Sequence, residues 1–322
     1  MELPAALRQA VDRALEGVSL PDLGRAAAEI SRLYRGDAAG GRFHIADDLA
    51  ARAYLATRLP ATYAAIRAAC AMVKAVRPDF APASLLDVGA GPGTALWAAR
   101  DCWAGIDSVL LIEGAAPMRA WGEPLARLSG ATDIAWQAAN IVADAPAPAA
   151  RDLVTLAYVL NEIAPADRPG LVERLWAATA DTLLIVEPGT PAGWARILDA
   201  RGQLLAAGAQ LLAPCPHAGA CPIAAPDWCH FSRRVARSRL HRQAKGGGVP
   251  WEDEKFTVLA VSRQAGTLPR ARVIAPPQAA SGQVALKLCT AEGQAVERRW
   301  SRRDGAAFKA ARRLDWGDAV DG

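Results

Sequence analysis

Residues 84–94 of this 322-residue chain read SLLDVGAGPGT, an apolar run followed by three glycines at alternate positions. The run is typical of a buried strand, and the glycines are typical of a tight turn that opens a helix. Four more short apolar runs follow, each with room for a crossover helix after it: residues 108–112, 134–137, 153–158 and 182–186. Because runs of this kind suit a parallel sheet covered on both faces, the sequence predicts an α/β fold.

The glycine loop has features of an adenosine-binding loop. Asp87 lies at the strand end, and Glu113 follows the next strand, 24 residues after Gly89, where a carboxylate can hold both ribose hydroxyls. Pro92 and Gly93 replace the longer glycine spacing that cradles a pyrophosphate. We therefore expect S-adenosylmethionine as the ligand, although a Rossmann-like loop with a degenerate site is the alternative. The predicted cofactor residues are Asp87, Gly89, Ala90, Gly91, Gly93, Glu113 and, at the adenine edge, Asn140.

Catalytic residues are not assigned by the sequence. Tyr158, Asn161 and Glu162 follow the fourth strand, where open α/β sheets present chemistry. The Asn/Asp-Pro-Pro-Tyr/Phe motif of amino-methylating enzymes is missing from that position, as is a nucleophilic cysteine.

Three cysteines lie close together in a proline-rich stretch, and a fourth follows sixty residues later: Cys215, Cys221, Cys229 and Cys289. The stretch is too irregular for a helix and too rich in proline for a central strand, so a metal would explain what orders it. Four thiolates can complete either a zinc site or an iron-sulfur cluster. Buried, unligated cysteines are an equally common reading, whereas a disulfide framework belongs to small secreted domains.

Length and composition favour a soluble globular protein with four regions. Hydrophobic residues make up 52% of the chain, and no apolar run approaches membrane-spanning length. The N-terminal residues lack the character of a transit peptide, so we expect no leader. We expect a cytoplasmic, bacterial protein, monomeric and without a membrane partner. The predicted regions are a helical extension (1–80), the cofactor domain (81–208), the cysteine loop with its basic segment (209–250) and a mainly β region (251–322).

A basic segment follows the cysteines directly, within an overall net charge of only +4. Six cations and no acid fall in residues 233–245, which is either a solvated face or a phosphate-binding surface. The candidate RNA contacts are Arg233, Arg234, Arg237, Arg239, Arg242 and Lys245.

Taken together, these motifs resemble a known family. The glycine loop, the phrase VEPGTP at residues 186–191 with Arg201 ten residues on, and the run from Cys215 to Cys229-His230-Phe231 resemble the methyltransferase-like assembly factors of the mitochondrial small ribosomal subunit and their bacterial relatives. The resemblance implies a Rossmann-like class I methyltransferase sheet that can hold S-adenosylmethionine, and contact with small-subunit rRNA. It also implies a 4Fe-4S cluster on Cys215, Cys221, Cys229 and Cys289.

Our leading hypothesis is a methyltransferase-like, iron-sulfur protein that binds small-subunit rRNA and assists ribosome assembly or translation. An active rRNA methyltransferase and a non-catalytic, zinc-stabilised RNA-binding protein are the alternatives. His217 and His230 are rival ligands that would favour zinc.

Overall fold

The computed structural model describes residues 1–35, 45–139, 149–245 and 248–320, without the side chains of 33–35. Its N-terminal part is helical, with α1 (Ala5–Ala14), α2 (Leu20–Arg35), α3 (Asp48–Thr57) and α4 (Leu59–Val76). The Asp47 side chain caps α3 by accepting a hydrogen bond from the Ala50 N–H at 2.8 Å. By length and composition α4 could cross a membrane, but 72% of it is buried inside the molecule, as in a core helix.

Five parallel strands form the larger part of the main sheet, in the order β3-β2-β1-β4-β5. They match the predicted runs to within three residues at each end. The strands are β1 (Ser84–Val88), β2 (Ser108–Ile112), β3 (Asp133–Gln137), β4 (Arg151–Ala157) and β5 (Thr179–Pro188). The accompanying helices are α5 (Thr94–Cys102), α6 (Ala116–Arg127), α7 (Arg168–Ala177) and α8 (Pro191–Ala206).

The sheet continues beyond residue 208, where the sequence placed the end of the cofactor domain. Strand β8 (Trp251–Ser262) pairs antiparallel with β5, and its other edge carries β7 (Phe231–Ala236) and then β6 (Gln210–Ala213). Residues 256–262 of β8 are buried, as expected for a strand with neighbours on both edges. The full order, β3-β2-β1-β4-β5-β8-β6, confirms the predicted class I methyltransferase sheet.

Helix α9 (Arg239–Lys245) connects β7 to β8 and packs against α2. A second, five-stranded sheet follows. The sequence predicted a mainly β region from residue 251, but the first strand of that region, β8, belongs to the main sheet. It contains β9 (Ala271–Val273), β10 (Gln278–Ala280), β11 (Gln283–Thr290), β12 (Ala295–Ser301) and β13 (Ala319–Val320), with a 3-10 helix (Arg302–Asp304) and α10 (Ala306–Ala311). Its own small core lies between the sheet and α10.

The main sheet is covered on both faces. One core joins the sheet to the N-terminal helices and α5, and another joins it to α7 and α8. The chain between β6 and β7, residues 214–230, leaves the sheet edge at the point where one strand replaces the other along β8. This arrangement fixes both ends of the segment that carries the three close cysteines.

Candidate cofactor site and cysteine cluster

The glycine loop lies at the carboxyl edge of the sheet and packs closely on the segment after β4. Gly89, Gly91 and Gly93 all have positive φ angles, of 69°, 55° and 80°. A Cβ on Gly89 would lie 2.4 Å from Cγ2 of Val159, so this position has no room for a side chain. The backbone N–H groups of Gly89 and Ala90 donate to the carbonyl oxygen of Ile112, at 2.9 and 3.0 Å, which ties the loop to β2.

Glu113, predicted to hold the ribose hydroxyls, follows β2 and faces this loop. Its carboxylate is buried and accepts hydrogen bonds from the Gly91 N–H at 2.8 Å and the Ala115 N–H at 2.7 Å. Burial raises the pKa of Glu113, and these backbone donors oppose the rise. In this arrangement the carboxylate bridges the glycine loop and the start of α6.

Two further acids at the same edge, Asp87 and Glu162, have raised pKa values. Asp87 accepts a 2.7 Å hydrogen bond from Thr155 through Oδ1, while Oδ2 has no hydrogen-bond partner among the described residues. Burial, with the charge of Glu113 adding to it, raises the pKa of Asp87 to about 7. Burial and the charges of Glu113 and Glu187 raise the pKa of Glu162 to about 8. Raised carboxyl pKa values of this kind are typical of ligand sites.

The remaining predicted residues at this edge have different outcomes. Tyr158 has a φ of 61°, and its hydroxyl donates to Glu254 at 2.7 Å. Asn161 is buried beside it. The prediction for Asn140 falls on a residue outside the described part of the chain.

All four cysteines predicted as ligands line one cavity. Cys215, Cys221 and Cys229 come from the segment between β6 and β7, whereas Cys289 comes from β11 in the second sheet. Burial raises the pKa of Cys215; burial and then the charges of the other three thiols raise the pKa of Cys229 well above its ordinary value. Burial and the charges of Cys215 and Cys221 raise the pKa of Cys289 to about 12.

Two buried arginines line the same cavity. Arg201 donates through Nη2 to the carbonyl oxygens of His217 at 3.0 Å and Gly219 at 2.8 Å, which holds the cysteine segment to α8. Arg272, directly opposite Cys289 in the β9–β11 pairing, donates to the carbonyl oxygens of Pro214 and Gly317. Sequence reasoning missed Arg272; its signal is a charged residue inside the apolar run of residues 271–274.

The four thiols share a cavity without gathering at a single point. Among the described residues, no three His, Cys, Asp or Glu side chains are arranged to hold one metal ion. His217 lies beside the thiols, with Nε2 at 3.5 Å from Sγ of Cys289. His230 instead stacks on Trp228 at 4.9 Å and meets Trp316 edge-on at 4.8 Å, away from the cavity lining.

The six residues predicted to contact RNA divide into two groups. Four are engaged within the protein: Arg233 donates to the Trp316 carbonyl, Arg234 pairs with Asp253, and Arg237 and Lys245 pair with Glu252. Arg239 is exposed on α9, and Arg242 is half-buried.

Comparison with known proteins adds the following. The family described as mitochondrial small ribosomal subunit Rsm22 matches residues 48–321. The human mitochondrial ribosome assembly protein METTL17 is 28% identical over 287 residues, which cover 83% of this chain. The chain spans 61% of that relative's length.

Two solved structures illustrate the fold. One is the magnesium protoporphyrin IX methyltransferase of Synechocystis with bound SAH, with 12% identity, 63% of this chain and 84% of that chain covered, and a TM-score of 0.42. The other is the N-methyltransferase NodS of Bradyrhizobium japonicum with 11% identity, 60% and 84% coverage, and a TM-score of 0.39. The strand order, not these low scores, is the evidence for the fold.

Proposed function

The chain belongs to the family of the mitochondrial small ribosomal subunit protein Rsm22, and from that premise we propose that it is a methyltransferase-like assembly factor of the small ribosomal subunit. In this proposal it binds S-adenosylmethionine at the glycine loop, holds a 4Fe-4S cluster on four cysteines and contacts rRNA. The human relative is named as a ribosome assembly protein, which supports the assembly role.

One observation carries the cluster proposal: three cysteines from the segment between β6 and β7 and one from β11 of the second sheet line a single cavity. Since burial raises the pKa of three of these thiols, they would stay protonated without a cation, and a metal centre would stabilise the thiolates. Cys215, Cys221, Cys229 and Cys289 would hold the cluster, which would order the segment between β6 and β7 and could exchange an electron.

The arrangement of the thiols in the cavity favours a cluster over zinc. Around one zinc ion with Zn–S bonds of about 2.3 Å, tetrahedral thiolates lie about 3.8 Å apart, whereas a cluster holds its ligands around several irons. The four thiols line the same cavity, but in the described part of the chain no three of them are arranged around one metal ion. A cluster and a zinc ion both carry net negative charge when four thiolates bind them, so the two buried cations among the lining residues, Arg201 and Arg272, suit either centre.

The carboxyl edge of the sheet supports S-adenosylmethionine as the second ligand. The ligand carries a sulfonium and an ammonium group, and the edge offers two buried acids, Asp87 and Glu162, whose pKa values are raised by burial and by neighbouring carboxylates. A cation bound beside them would favour their charged forms. Glycines with positive φ bring the backbone close enough to contact it.

Purification without oxygen tests the cluster directly. The wild-type protein should be coloured, with broad absorbance in the visible range and about four iron and four sulfide per chain. Cys221→Ser should lose most of this iron and absorbance while still binding S-adenosylmethionine, measured by calorimetry, because the glycine loop lies on other strands.

Cys102→Ser is the matched control, since Cys102 ends α5 and lies outside the cavity lining. Its iron content should equal that of the wild type. A colourless wild-type protein with stoichiometric zinc would overturn the cluster and leave the zinc-stabilised alternative.

A further inference from the structure

A large cleft opens at the carboxyl edge of the main sheet, where the chain leaves β4 and β5. Its volume is about 870 Å³, within the range of ligand sites. Its walls come from α2, from the turn between β5 and α8, and from the β7–α9–β8 hairpin, with Asn161 and Arg58 between them. The N-terminal helices therefore do more than cover the core, because they complete a binding-sized space at the functional edge.

Asn161 presents an unsatisfied acceptor in this cleft. The residue is 8% exposed, and its Oδ1 has no hydrogen-bond partner among the described residues. A buried polar atom without a partner is costly, and most such atoms in folded proteins are satisfied. A ligand that donates an N–H group to Oδ1 would remove this cost.

The segment that carries Asn161 is held in place before any ligand arrives. Among the described residues, Tyr158 is the one non-glycine residue with a positive φ, of 61°. Its N–H donates to the Val186 carbonyl at 2.8 Å. The Leu160 N–H donates to Glu187 at 3.0 Å, and Glu187 is paired with Arg196 at 2.8 Å. Strained backbone that is fixed by its surroundings is typical of functional sites.

The cleft is positively charged overall. Among its described lining residues, five are cationic (Arg58, Arg196, Arg237, Lys245 and Lys255) and two are anionic (Glu252 and Glu254). Lys255 is exposed and makes no ion pair with the described residues, unlike Arg237 and Lys245, which hold Glu252. An anionic group at the mouth of the cleft would therefore meet an available ammonium group.

We propose that this cleft binds one unpaired nucleotide of an RNA strand, with a phosphate at Lys255 and an amino group of the base at Oδ1 of Asn161. A nucleotide carries both the anion and the N–H donor that these two groups require. The same hairpin presents Trp251, 41% exposed with Arg234 5.4 Å above its ring, a pairing typical of surfaces that stack single-stranded bases. This inference rests on the RNA contact in the proposed function and adds where the strand enters and which atoms recognise it.

The test uses the full chain and fluorescein-labelled hexamers of cytidine, adenosine or N3-methyluridine, with binding followed by anisotropy over a range of KCl concentrations. The wild type should prefer the cytidine and adenosine hexamers, whose bases carry amino groups, over N3-methyluridine, whose base has no N–H donor. Asn161→Leu should weaken binding of those two by about 5- to 100-fold and remove the preference. The substitution removes an unsatisfied acceptor, so the variant should fold, which circular dichroism checks.

Lys255→Ala gives an independent measure. It should lower the slope of log affinity against log salt by about 0.7 for every hexamer and leave the base preference intact. Lys309→Ala is the matched control, because Lys309 is exposed on α10, away from the cleft, and should change neither quantity.

The outcomes separate the two proposals. If the protein binds a small-subunit rRNA fragment but Asn161→Leu and Lys255→Ala leave hexamer binding unchanged, the cleft proposal is wrong and the rRNA contact stands. If the wild type binds neither the fragment nor the hexamers, the rRNA contact itself fails. Displacement of the hexamers by hexaglutamate that depends on Asn161 would instead identify the cleft as an acidic-peptide site.

Discussion

Asp87, at the end of β1, is a buried carboxyl whose pKa is not lowered by any neighbouring positive charge in the described part of the chain. It is 2% exposed, with one carboxylate oxygen bound to Thr155 and the other unsatisfied among the described residues. The negative charge of Glu113 lies near enough to add to the effect of burial on its pKa. The neutral form of Asp87 is therefore favoured in the folded protein more than in the unfolded chain.

Replacing Asp87 should change how stability depends on pH. The pKa of Asp87 is raised from 3.8 to about 7, so between these values the folded protein holds a proton that the unfolded chain releases. The contribution of Asp87 to the free energy of unfolding is therefore fully present below pH 4. It falls by about 1.4 kcal/mol per pH unit as the pH rises to about 7.

Asp87→Asn has no such proton, so its stability relative to the wild type should increase across this range. Urea denaturation from pH 5 to pH 8 measures the difference. Parallel curves of stability against pH for the two proteins would show that the pKa of Asp87 is not raised in the folded protein.

At the scale of an element, neighbouring cations in the β7–α9–β8 hairpin differ in whether they form ion pairs within the protein. Glu252 in β8 is half-buried and lies within 3.3 Å of His241, Arg237 and Lys245. Burial alone would raise the pKa of Glu252, but His241 and Lys245 hold this pKa well below its usual range. Arg239, by contrast, is exposed at the start of α9.

Two single substitutions in the hairpin should therefore have opposite signatures. Arg237→Ala removes a charged partner of Glu252 and should lower the free energy of unfolding on the order of 1–3 kcal/mol in urea denaturation. Arg239→Ala should leave stability unchanged but reduce the salt slope of rRNA binding by about 0.7–0.9. Equal effects of both variants on stability and on salt slope would contradict this division.

The elements also show what the sequence could and could not predict. The strands from β1 to β5 and the glycine loop follow from local patterns, because apolar runs and glycine spacing report directly on burial and backbone conformation. Strand β8 falls in the region predicted to be mainly β, but its place between β5 and β6 depends on pairings with residues about 50 to 80 positions away. No local pattern encodes such a partner, and for the same reason Arg272 could not be placed beside Cys215.

At the scale of the whole molecule, the cysteine cavity is where the two sheets meet. Cys215 follows β6 and Cys229 precedes β7, and both strands pair with β8, whereas Cys289 belongs to β11. Protein contacts across this junction include Arg272 with the Pro214 carbonyl and Lys287 with Asp227. A cluster bound to all four thiols would add covalent links across the same junction, so its removal should loosen one part of the molecule selectively.

Hydrogen exchange measured by mass spectrometry, before and after removal of the cluster with a chelator and oxidant, tests this coupling. Peptides from residues 214–230 and from β9 to β13 should lose protection, because metal binding stabilises the structure that presents the ligands. Peptides from β1, β2 and β4 should keep theirs, since they lie on the far side of β5 from the junction. Cys102→Ser should respond as the wild type does, whereas Cys221→Ser should already show the exchange pattern of the treated protein. A uniform loss of protection along the chain would mean that the cluster stabilises the fold globally, and unchanged protection in residues 214–230 would mean that it does not order this segment.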